Sequence, residues 1–115
     1  MFNFIIYNNN LNQIKKYGNI IFSNFANIHL SGIAGNKKEL EYFLNTQKIN
    51  LIIISYADSQ KPSIFPLVKN IENKIIICEN DATLKNTKHT LYLSSHSSLE
   101  ATLKKLKLFT PKVDE

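Results

Sequence analysis

Few side chains in this sequence are equipped for chemistry, and they lie far apart. Cys78 is the single thiol, which excludes an intramolecular disulfide and a Cys-x-x-Cys metal site and predicts a reducing, cytoplasmic setting. His29, His89 and His96 lack the short spacing of zinc ligands. The stretch Gly32-Ile33-Ala34-Gly35-Asn36 has neither the GxGxxG pattern nor the lysine of a phosphate-binding loop. What remains is a set of polar residues that close apolar runs. Asn8 and Asn9 follow Phe4–Tyr7, and Ser55 follows Leu51–Ile54. Cys78 and Glu79 end the run begun at Ile75, and Ser94 and Ser95 follow Leu91–Leu93. Of these only Glu79 is an acid, and Ser55 has no evident base to activate its hydroxyl.

The elements that position these residues are legible in the apolar pattern. The runs Phe4-Ile5-Ile6-Tyr7, Leu51-Ile52-Ile53-Ile54, Ile75-Ile76-Ile77-Cys78 and Leu91-Tyr92-Leu93 are short, solid and mostly β-branched or aromatic. Such runs predict strands buried on both faces. Ile28–Ala34 is a fifth strand, interrupted by Gly32 and so expected near an edge. Between them lie helical periods. Leu11, Ile14, Gly18, Ile21 and Phe25 share one face of a helix capped by Asn10. Residues 37–46 form the next helix and bury Leu40, Phe43 and Leu44. A third spans 63–71 with Pro66 in its first turn, facing inward through Ile64, Leu67, Val68 and Ile71. The last spans 99–108, opened by a capping box Ser97-Ser98-Leu99-Glu100 and turned inward through Leu99, Leu103 and Leu106. The connection over 79–90 holds only Ala82 and Leu84 as apolar residues, so its helix is expected to be shortened. Alternating strands and helices predict an α/β, doubly wound, five-stranded parallel sheet with helices on both faces.

The chain has 115 residues, enough for one domain with a real core. We place that domain at 1–110 and a polar tail at 111–115. No apolar stretch approaches the roughly 20 residues of a membrane span, and the first residues lack the basic start and cleavage site of a signal peptide. The net charge is +5, but the lysines are scattered apart from Lys104, Lys105 and Lys107. With arginine absent, direct nucleic-acid binding is not expected. The excess of Lys, Asn and Ile matches an AT-rich coding bias and is given no functional weight.

Three segments carry a family resemblance. Leu30-Ser31-Gly32-Ile33-Ala34-Gly35-Asn36-Lys37-Lys38-Glu39-Leu40 resembles the second strand and helix start of the receiver domain of two-component response regulators. Residues 44–55 are similar to its second helix, turn and third strand, and residues 91–100 to its fifth strand and the start of its last helix. The resemblance implies a flavodoxin-like strand order 2-1-3-4-5. It also implies that Ser55 stands where receivers carry the phosphoaccepting aspartate, and that Asn8 and Asn9 replace the acidic pair that holds Mg²⁺. Ser95, or Ser94 one residue earlier, takes the place of the lysine; Cys78 or Glu79 takes that of the hydroxyl residue; Tyr92 falls at an aromatic switch position.

Neutral amides in place of carboxylates remove the charge that binds a hard cation. The expectation is therefore a degenerate phosphorylation pocket (Asn8, Asn9, Ser55, Cys78, Glu79, Ser95) with no catalytic residue, metal or cofactor. The chain would act as a phosphorylation-independent regulatory domain in bacterial signalling or transcription control, not as an enzyme. It would meet a protein partner or a second copy through Leu84, Lys88, Tyr92, Lys104, Lys105 and Lys107. A DNA-binding output domain would follow Glu115 if the chain continues. The alternative is a small-ligand or enzymatic domain using the crevice at the strand ends.

Overall fold

The isoleucine-rich runs become the centre of a sheet. The computed structural model describes residues 2–8, 10–24, 28–79, 87–94, 96 and 98–108. Five strands, β1 (Phe2–Tyr7), β2 (Ile28–Ala34), β3 (Leu51–Ser55), β4 (Asn73–Cys78) and β5 (Thr90–Ser94), pair in parallel in the order β2-β1-β3-β4-β5. Leu51, Ile52, Ile53 and Ile54 are each at most 2 % exposed, as a central strand covered on both faces requires. Alternation splits the core in two. Phe4, Ile6, Ile53, Ile75 and Leu93 lie on one face, with Tyr17 and Ile20 of α1 (Leu11–Asn24). Ile5, Tyr7, Ile52, Ile54, Ile76 and Cys78 lie on the other, with Leu40 of α2 (Lys37–Thr46).

Helix α1 is capped as expected: Asn10 Oδ1 accepts from the N–H groups of Asn12 and Gln13 at 3.1 and 3.3 Å. Its buried face includes Tyr17 and Ile20, outside the expected stripe, as well as Gly18. Helix α2 has the expected bounds and a capping box that was not foreseen. Asn36 Oδ1 accepts from Glu39 N–H at 2.9 Å, while the Glu39 carboxylate reaches back to the Gly35 N–H at 2.9 Å.

The β3–β4 connection departs from expectation. A turn that was not foreseen, α3 (Tyr56–Ser59), comes first, and in place of one helix over 63–71 there is a single turn, α4 (Phe65–Val68). Bonds of the i→i+3 type (Ile64 N–H to Lys61 O, Leu67 N–H to Ile64 O, Ile71 N–H to Val68 O) tighten the chain here, while Pro66 keeps the expected first-turn position. The inward residues are nonetheless those foreseen: Ile64, Val68 and Ile71 are buried, with Leu67 partly so. In α5 (Leu99–Leu108) the observed cap is Ser98, whose Oγ accepts from Ala101 N–H at 3.1 Å, so Glu100 stands one position short of a capping-box partner. The shortened helix expected between β4 and β5, the tail 111–115 and Phe25 lie outside the described residues.

Strand β2 carries a β-bulge. Phe4 pairs with Leu30 and Ile5 with Gly32, so Ser31 is the extra residue. Ile28 and Leu30 consequently face α1, whereas Ala34 faces α2. Gly32 also turns toward α2 and lies directly under the Phe43 ring, where any Cβ would collide.

Asparagines tie the strands together at their N-terminal ends. Asn3 donates through Nδ2 to Lys48 O (2.9 Å), and its own N–H donates to Asn50 Oδ1 (2.9 Å). Asn73 donates to Asn50 O through both its N–H (3.2 Å) and Nδ2 (3.0 Å). Asn73 Oδ1 then meets His89 Nδ1 at 3.1 Å, and Lys74 N–H donates to His89 O at 2.8 Å. The Asn excess set aside as coding bias thus has structural work here, as it does at the caps Asn10 and Asn36. No helix among the described residues is long and apolar enough to cross a membrane.

Candidate functional site

The sheet order brings the polar strand ends together. β1 and β3 are neighbours at the point where the chain reverses its direction of winding, and β4 follows β3. Asn8, Ser55 and Cys78 therefore close three adjacent strands, with Glu79 exposed just beyond. Asn9 and Ser95, expected in the same pocket, lie outside the described residues.

The polar atoms at these ends are engaged in local turns. Asn8 Oδ1 accepts from Asn10 N–H at 2.7 Å, and its Nδ2 donates to Gln13 Oε1 at 2.8 Å. Its backbone N–H donates to Ala34 O at 3.0 Å. Asn8 thus shapes the turn from β1 into α1. Ser55 caps α3: its Oγ accepts from Asp58 N–H at 3.1 Å. Cys78 is buried within the apolar cluster on the α2 side. Burial pushes its thiol pKa up, and the positive charge of Lys105 only partly offsets this.

Residues not foreseen in the pocket complete it. Tyr7, the last residue of β1, is buried, and its phenol pKa is raised first by burial and next by the negative charge of Asp58, with Glu39 adding a smaller push. Lys61 opposes these through its positive charge and forms an ion pair with Asp58 at 2.8 Å. The hydrogen bond to Asp58 raises the Lys61 pKa in turn. The Asp58 carboxylate therefore neutralises a lysine on its own turn. Tyr7 had read as the end of an apolar run. The signal available was alternation, which places it on the Ile5 face.

Among the described residues no three His, Cys, Asp or Glu side chains are grouped to hold a metal. Ser55 has no free base beside it, since Asp58 is paired. Of the expected interaction face, Lys88, Lys104 and Lys105 are exposed, and Lys107 lies on α5. Tyr92 packs against the cluster on the α2 side, and Leu84 lies outside the described residues.

No protein-family model matches the sequence, and no curated protein matches it. Among solved structures, the receiver domain of the PhyR response regulator from Erythrobacter litoralis, determined by solution NMR, is similar in fold. Its TM-score is 0.66 over 99 % of this chain and 95 % of that one, at 13 % identity. The expected architecture is borne out: the chain has the α/β fold of a receiver domain, strand order included.

Proposed function

We propose that this chain is a receiver-like regulatory domain that signals without aspartyl phosphorylation, through contacts with a protein partner or a second copy. The observation that carries the reading is the engagement of Asn8 and Ser55 in their own turns, where receivers keep acids. A receiver switches because a phosphoryl group and its Mg²⁺ bias one of two conformations. With neutral side chains at these strand ends, and with Asp58 held by Lys61, that bias has no chemical handle.

Incubation with acetyl phosphate and Mg²⁺, followed by intact mass spectrometry, is expected to show no phosphoryl adduct. Ser55→Asp is expected to remain unmodified as well, because one carboxylate beside the neutral Asn8 does not rebuild the cation site. An adduct on the native chain, labile or stable, would overturn the reading.

A further inference from the structure

A groove of ≈ 310 Å³ lies on the α2 side of the sheet, over β4 and β5. Its floor is Lys74, Ile76 and Tyr92, and its wall is Phe65 and Val68 of α4 with Lys69 just after it. Ile76 and Val68 are buried, whereas Phe65 is 47 % exposed. Two lysines line the groove, and no carboxylate is among the described residues that do. Lys74 is half-buried, and its Nζ donates to Ile71 O at 2.8 Å, which fixes the ammonium and leaves it further donors. Burial also lowers its pKa, because the ammonium is partly withdrawn from water.

The spacing is informative. Lys74 and Ile76 lie two residues apart on one face of β4, and their register partners Thr90 and Tyr92 repeat that spacing on β5. A cationic station and an apolar one are thus about 7 Å apart, the repeat of alternate side chains in an extended peptide. We propose that this groove docks an acidic partner segment in extended conformation. A carboxylate meets Lys74 and Lys69, and the next same-face apolar side chain packs on Phe65, Val68 and Ile76. This rests on the partner-binding reading and gives that partner a chemistry.

The test is titration of the full, ¹⁵N-labelled chain with a short peptide of alternating glutamate and leucine, followed by amide chemical shifts. Saturable shifts centred on Lys69, Lys74, Ile76 and Tyr92 are expected, weaker at higher salt and absent with a glutamine–leucine peptide. Lys69→Glu, at an exposed position, should weaken binding roughly tenfold or more. Lys74→Met should do likewise, and Lys69→Glu keeps the test valid if Lys74→Met fails to fold. Lys104→Glu with Lys105→Glu should leave binding unchanged. Absence of shifts, or equal binding of the neutral peptide, overturns the groove. Shifts centred on α5 also overturn it but leave the partner-binding reading standing, whereas an adduct from acetyl phosphate overturns the phosphorylation-independent reading and leaves the groove untouched.

Discussion

Gly32 and Phe43 show how one residue sets the geometry around it. The ring sits where a side chain at position 32 would begin, so Gly32→Ala must displace either the ring or the strand. Overpacking of this kind costs about 1–3 kcal/mol. We expect that loss in chemical denaturation, and expect it to shrink when Phe43→Leu is introduced as well. An undiminished loss in the double variant would point to the backbone and not the ring. At this scale the legible residues were those whose partners are local in sequence. Asn10 was readable as a cap because its acceptor and donors lie within three residues. Tyr7 was not, because its electrostatic neighbours Asp58 and Lys61 are brought to it only by the pairing of β1 with β3.

Among elements, the N-terminal asparagine ladder is the least expected tie. Asn73 bonds to Asn50 and His89, so it links β4 to its neighbours on both sides. Asn73→Ala leaves the Asn50 carbonyl with one donor fewer and the His89 ring without its acceptor. Loss of such a buried polar partner costs about 1–3 kcal/mol. Thermal unfolding should show this, while Asn45→Ala on the exposed side of α2 should stay within about 0.5 kcal/mol of the native chain. Equal behaviour of the two would remove the ladder from the account. The strands themselves were legible because solid β-branched runs have one economical use, a sheet covered on both faces. The third helix was only half legible. Its apolar spacing named the inward residues, but i→i+3 bonds alternate with i→i+4 bonds over 61–71, and only Phe65–Val68 completes a turn of α-helix. The bulge at Ser31 left no trace in the pattern, because register depends on the partner strand.

For the whole molecule, the buried titrating groups predict a loss of stability in alkali. Cys78, Tyr7 and Tyr17 all have raised pKa values, with burial as the leading cause. Each stays protonated in the folded state after it ionises in the unfolded one. Their contributions are complete below the ordinary values of 9.0 and 10.0 and are lost as pH rises through the folded ones. Lys61 acts in the same direction above 10.5, and Lys74, whose pKa is lowered, acts in the opposite one. Tm should therefore fall from about pH 9 upward. Cys78→Ala should remove the earliest part of that fall. An unchanged profile in Cys78→Ala would mean that the thiol titrates normally.

The rims of the sheet bear on how such a chain keeps to itself. Among the described residues β2 and β5 each pair with a strand on one side only, and the outer N–H and C=O groups of such strands are templates on which further strands can add. β5 limits its rim to five residues. β2 is longer, and the extra residue at Ser31 bends and twists it near its middle, so that its free groups no longer form a straight row. The irregularity that turns Gly32 toward Phe43 thus also makes this edge a poorer template for a further strand.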